Sequence, residues 1–176
     1  MRARQLIATA EPQRAHRHVA TILGLALLAP ATAVAGVDCS VSATGVAFGQ
    51  YDPSLAVPDE STGSVTVTCD YIGPGAVTEA KYTIALSTGS SGAYSQRRMV
   101  AGAGGLGYNL FGDAGRSQVL GDASAGTTII SGTLRVGPGV GNGTRSQTHA
   151  LYGRVPALQD ADTGDYTDSI LVTLTY

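Results

Sequence analysis

Apolar and polar residues alternate with period two in several short runs, the spacing of strands that bury one face. Val65-Thr66-Val67-Thr68-Cys69 alternates without a break, and so does Lys81-Tyr82-Thr83-Ile84-Ala85-Leu86, which Ser87-Thr88-Gly89 ends. Residues 98–101 predict a short strand followed by a Gly-rich turn, and residues 107–111 predict another. Residues 127–136 read as a longer strand pair or hairpin arm, residues 149–155 precede Pro156, and residues 166–176 form the clearest strand. No long window shows helical periodicity with caps. Short strands punctuated by Gly, Pro, Ser and Asp predict a sandwich or barrel.

Composition agrees. The 176 residues include 24 Gly and only 14% charged residues, against ~25% in an ordinary globular chain. Lys81 is the sole Lys, and Glu11, Glu60 and Glu79 are the only Glu. This excludes a coiled coil or a highly charged disordered chain.

The first 35 residues read differently. Arg2, Arg4, Arg14 and Arg17 precede an apolar stretch at residues 19–29, and Ala33-Val34-Ala35 is a small-residue A-x-A site. This is the pattern of a secretory signal peptide, which predicts a cleaved leader at 1–35 and a mature domain at 36–176. The apolar stretch falls short of the ~20 residues of a membrane span. Residues 1–35 carry four of the 11 basic and one of the 13 acidic residues, so residues 36–176 carry 7 − 12 = −5. Such a chain is not drawn to nucleic acid or anionic lipid.

Both cysteines, Cys39 and Cys69, fall in the predicted mature chain. An even cysteine count in an exported chain predicts a disulfide. The other reading, a metal pair, lacks the further Cys or His that zinc requires.

The segment Asp162-Thr163-Gly164-Asp165-Tyr166 precedes the last strand. Its spacing fits the tyrosine corner of immunoglobulin-like sandwiches, in which a Tyr hydroxyl bonds to backbone upstream. An ordinary turn with a surface Tyr is the plainer reading. Beyond it, Ile170, Val172, Leu174 and Tyr176 share one face of the last strand, whereas Ser169, Thr173 and Thr175 share the other. With the sequence stopping at Tyr176, the expected fold lacks a seventh strand, leaving an apolar groove and an open edge. Either another chain supplies that strand or the count is off by one.

The ordered set of segments resembles the spore coat protein U domain family, which includes pilins of archaic chaperone–usher pili. The resemblance is carried by Cys39-Ser40-Val41-Ser42-Ala43-Thr44, Val46-Ala47-Phe48-Gly49-Gln50-Tyr51-Asp52-Pro53, Gly63-Ser64-Val65-Thr66-Val67-Thr68-Cys69 and Tyr82-Thr83-Ile84-Ala85-Leu86-Ser87. Arg97-Arg98-Met99, Leu106-Gly107-Tyr108-Asn109-Leu110-Phe111, Tyr152-Gly153-Arg154-Val155-Pro156-Ala157, Gly164-Asp165-Tyr166-Thr167-Asp168 and Val172-Thr173-Leu174-Thr175-Tyr176 continue it. It implies an incomplete immunoglobulin-like β-sandwich of about six main strands whose seventh comes from a partner. A periplasmic chaperone, an outer-membrane usher and neighbouring pilin subunits are the implied partners. The implied product is a surface fibre for adhesion and biofilm formation. Cys39 and Cys69 match the family's disulfide positions, and Ile170, Val172, Leu174 and Tyr176 are expected to line the acceptor groove. After cleavage at Ala35 only three residues, ~10 Å of chain, precede Cys39. This predicts a subunit that accepts a strand without donating one, at a fibre end or outside a long polymer.

Other motifs yield no chemistry. Gly102-Ala103-Gly104-Gly105-Leu106-Gly107 spells G-x-G-x-x-G but has no βαβ context, and reads as a flexible strand connection. Residues 137–143 read as a turn-rich loop. The turn at Asp160, Asp162 and Asp165 fails EF-hand spacing, because Leu171 stands where the bidentate Glu belongs. It reads as a solvated turn, with a looser calcium site as the second reading. His149 has no nucleophile elbow to serve, Asp59-Glu60 read as a solvated loop pair, and Arg97 and Arg98 as opposite-facing strand residues. The expectation is a non-enzymatic structural subunit, without cofactor or metal, exported through the periplasm to the cell surface. A developmental spore-coat protein and a self-complete extracellular binding module are the alternatives.

Overall fold

The computed structural model describes residues 2–3, 7–12, 36–140 and 143–176, with side chains from residue 36 onward. Among the described residues the regular elements are strands, apart from one 3₁₀ turn at Gly89–Ser91. The strands are β1 (Arg2–Ala3), β2 (Ile7–Pro12), β3 (Gly36–Thr44), β4 (Asp59–Ile72), β5 (Thr78–Leu86), β6 (Arg97–Ala101), β7 (Gly104–Phe111), β8 (Ile130–Val136), β9 (Thr144–Val155), β10 (Asp165–Tyr166) and β11 (Ser169–Thr175).

One sheet has the order β2-β11-β5-β8 and the other β3-β4-β9-β7-β6, while β1 pairs with β10. The second sheet is antiparallel throughout. The first is antiparallel except where β2 runs parallel to β11.

Period two places the core between the sheets. Val65, Val67 and Cys69 of β4 face Tyr82, Ile84 and Leu86 of β5 and Ile170, Val172 and Leu174 of β11, each 2% exposed or less. The alternate residues of β4 face out, where Thr66 and Thr68 hydrogen-bond Thr148 and Ser146 of β9 at 2.8 Å.

A single glycine lets one side chain span both layers. Gly132 stands level with Tyr82 in the β5–β8 register, and a Cβ there would lie 2.3 Å from the Tyr82 hydroxyl. The open space lets that hydroxyl donate to Gln147 Oε1 and meet His149 Nε2 on the opposite sheet, both at 2.8 Å.

Several elements differ from the sequence expectation. Residues 36–176 carry β3 through β11: the expected sandwich stands, with the β6–β7 hairpin added at the end of one sheet and the short β10 paired with β1 outside both. Residues 127–136 yield one strand, β8, since Thr128 turns aside to bond Val119 and Thr127 caps Ser124. The last strand is split: Thr167 exchanges backbone bonds with Val100, and Asp168 turns inward before β11 begins. Residues 104–107, expected as part of a flexible connection, belong to β7. Asp59 and Glu60 open β4 instead of lying in a solvated loop. Burial pushes the Asp59 carboxyl upward, and Glu60 pairs with Arg116 at 2.9 Å and Arg154 at 2.7 Å. Of the expected leader, β1 and β2 are described, whereas residues 19–35, with the apolar stretch and the A-x-A site, lie outside the described residues.

Candidate functional site: the last strand

The site is built on β11. Val172 is level with Leu86 and Leu174 with Ile84 on β5, and Ser87 N donates to Leu171 O at 2.9 Å. The backbone groups of Leu171 therefore face β5. By alternation those of Ile170, Val172 and Leu174 face the other way, toward β2. The same three residues send their side chains into the core. Thus one face of β11 is anchored by buried side chains, and one side of it turns a row of N–H and C=O groups toward β2.

β3 forms the far wall, with β2 lying against it as well as against β11. Val37 and Val41 of β3 pack on the core. Tyr176 follows β11 half-buried and packs against the core, and its hydroxyl donates to Asp38 Oδ1 of β3 at 2.9 Å. Cys39 and Cys69 are level across β3 and β4 and bonded, with S–S 2.06 Å, so β3 is covalently fixed to its sheet.

The corner residues lie upstream of the edge. Tyr166 is buried and its hydroxyl donates to Asp162 O at 3.0 Å, four residues back. Gly164 sits in the bend between them, where a Cβ would meet the Ala101 side chain at 3.0 Å. Among the described residues no three His, Cys, Asp or Glu side chains gather as a metal group.

A buried polar cluster organises the entry to β11, and sequence reasoning did not single it out. Arg97 has 0% exposure. It donates to Ser87 O from Nε at 3.0 Å and from Nη2 at 2.8 Å, to Leu120 O at 2.7 Å and to Asn109 Oδ1 at 2.6 Å. Its guanidinium carbon lies 5.2 Å from the Tyr94 ring centroid. Burial pushes this guanidinium below its ordinary pKa, while Tyr108, Tyr94 and Asp168 pull it back up. Asp168 accepts from the Tyr108 hydroxyl at 2.8 Å, from Ser90 N at 2.9 Å and from Ser169 N at 2.8 Å. Burial first, and Asp168 next, push the Tyr108 phenol upward, so it stays a donor. The available signal was phase: Arg97 occupies the same face as the buried Met99.

His149 lies in β9, half-buried, its pKa lowered by burial. Its Tyr82 and Gln147 neighbours make it part of the inter-sheet contact.

Two facing sheets, an in-sheet disulfide and a tyrosine corner before the last strand define an immunoglobulin-like β-sandwich. The chain belongs to the spore coat protein U domain family, whose profile matches residues 26–173. It is also similar to a solved chain from the CsuC–CsuE chaperone–tip adhesion subunit pre-assembly complex of archaic chaperone–usher Csu pili of Acinetobacter baumannii. That match is 19% identical with a TM-score of 0.46, and covers 80% of this chain and 40% of the other. No curated protein matches the chain.

Proposed function

We propose that this chain is a structural subunit of an extracellular pilus or coat of the chaperone–usher type, assembled by donor-strand complementation at β11. One observation carries the reading. Ile170, Val172 and Leu174 turn buried side chains into the sandwich and their backbone groups toward an added strand, and that position is filled by a strand parallel to β11. Strand addition of this kind draws affinity from ladder bonds and specificity from alternate side chains. Family membership supports the same assignment.

Under this reading residues 1–35 are removed on export and a periplasmic chaperone completes the edge. An outer-membrane usher then delivers the subunit to its neighbours in a surface fibre serving adhesion and biofilm formation. Gly36, Val37 and Asp38 are already paired with Ile72, Tyr71 and Asp70 in the β3–β4 ladder. They leave nothing ahead of Cys39 to lend, which suits a fibre end.

The test is periplasmic expression with and without a chaperone of the chaperone–usher type. The expected result is a soluble one-to-one complex with the chaperone and little soluble monomer without it. Abundant monomer of residues 36–176, indifferent to the chaperone, would overturn the reading.

A further inference from the structure

Away from β2 and β3, strands of both sheets run out of partners along one crevice. Among the described residues β8 pairs with β5 and with no strand beyond it. Across from it, β9 meets β7 at residues 152–154, and its first half has β4 as its one neighbour among the described residues.

The backbone direction of the β8 edge follows from β5. Ser87 N donates toward β11, and Leu86 N donates away from it, to Gly121 O at 3.0 Å. By alternation Ala80, Tyr82 and Ile84 turn their backbone groups to β8, level with Leu134, Gly132 and Ile130. The N–H and C=O groups of Ser131, Thr133 and Arg135 therefore point off the sheet.

The wall facing this edge is polar on the phase that is apolar elsewhere. Arg145, Gln147 and His149 of β9 are level with Cys69, Val67 and Val65 of β4, so they share the inward face. Gln147 and His149 meet the Tyr82 hydroxyl. Arg145 instead lines a groove of about 580 Å³ together with Arg135, Thr133 and Leu134. Both arginines are exposed. Glu79 is level with Arg135, and Asp70 accepts from Thr144 beside Arg145. Yet among the described residues neither arginine closes an ion pair, whereas Arg116 and Arg154 both close on Glu60.

We propose that the β8 edge is a second docking edge, which takes an extended acidic peptide strand of a partner chain. Ladder bonds go to Ser131, Thr133 and Arg135. Successive residues of an added strand point to opposite faces, so one acid lies beside Arg135 on the outer face and the acid next to it turns inward to Arg145. Backbone pairing supplies affinity and the alternate side chains supply specificity. The β11 edge selects the opposite chemistry, because its inward row is Ile170, Val172 and Leu174. The proposal is independent of strand addition at β11.

The test uses the exported protein and a labelled peptide, Thr-Val-Thr-Glu-Glu-Thr-Val-Thr, followed by fluorescence anisotropy. Binding is expected, with amide exchange slowed at least tenfold at Thr133 and Arg135 and unchanged at Val172 and Leu174. R135E/R145E should weaken binding at least tenfold and should favour the Lys-Lys version of the peptide instead. Methylating one alternate set of peptide nitrogens should also weaken binding at least tenfold, and methylating the other set should not. No binding of the peptide, or equal binding of the two methylated forms, would overturn the edge. Oligogalacturonate competing as well as the peptide would overturn it too, by showing a site for charge alone. Loss of peptide binding with chaperone capture retained removes the β8 edge and leaves the proposed function. Peptide binding by a protein that ignores the chaperone does the reverse.

Discussion

Arg97 takes the Ser87 carbonyl out of the β5–β11 ladder. Its Nε and Nη2 both donate to that oxygen, at 3.0 and 2.8 Å. Leu171 N, which would otherwise bond it, donates to Ser87 Oγ at 2.9 Å instead. A buried cation thereby sets where β5 ends and β11 starts, through one carbonyl shared by neither strand.

Replacing Arg97 by Met should therefore cost more than an ordinary core substitution. Ser87 O, Leu120 O and Asn109 Oδ1 all lose a donor, and unsatisfied buried acceptors cost about 1–3 kcal/mol each. A loss of about 3 kcal/mol or more in urea unfolding is expected. A loss under about 1 kcal/mol would show that the network does not hold the β5–β11 junction.

The two faces of β11 should respond oppositely. Leu174 has 0% exposure and Leu171 has 39%. Leu174→Ala should destabilise by about 2–5 kcal/mol and weaken chaperone capture, whereas Leu171→Ala should stay within about 0.5 kcal/mol. Equal effects in denaturant titration would contradict the assigned faces.

Loss of the Cys39–Cys69 bond frees a loop with a sequence separation of 30. Closing a loop of that size is worth about 3–4 kcal/mol in the chain-entropy picture. Paired Cys39→Ser and Cys69→Ser substitutions should lower the unfolding free energy by about that amount, and dithiothreitol should do the same to the unaltered chain. A reductant-insensitive denaturation midpoint would argue against the bond as a source of stability.

His149 should make stability fall in mild acid. Burial lowers its pKa below the ordinary 6.5, so the unfolded chain binds its proton first as pH drops. The stabilising contribution is present above about pH 6.5 and is lost as pH falls toward the folded-state value. Melting temperature should decline from pH 7 to pH 5, and His149→Gln should flatten part of that slope. Parallel curves for the two proteins would remove His149 as the cause.

Much of the sandwich was legible because a two-layer core writes period two into the chain. Val65 to Cys69, Tyr82 to Leu86 and Ile170 to Leu174 alternate in sequence as they do in space. Arg97 was legible as a strand residue facing opposite to Arg98, but not as a buried cation, because only the convergence of carbonyls from residues 87 and 120 makes a charge on the inward phase tolerable. Asp168 escaped because it reads as a polar interruption, yet its acceptors are filled by residues 60 to 80 positions away and by its neighbour. The pairing of β2 with β11 was illegible for a simpler reason. Parallel contacts across most of the chain leave no local signal.

The disulfide joins two strands that are already neighbours, and this makes the groove mechanically lopsided. Its β3 wall is fastened covalently to β4, while its β11 wall is held by ladder hydrogen bonds to β5 and by the Arg97 cluster. Under the proposed strand addition, a load applied through the added strand cannot peel β3 from its sheet without breaking a covalent bond, and yielding would begin on the β11 side, at the non-covalent junction at Ser87.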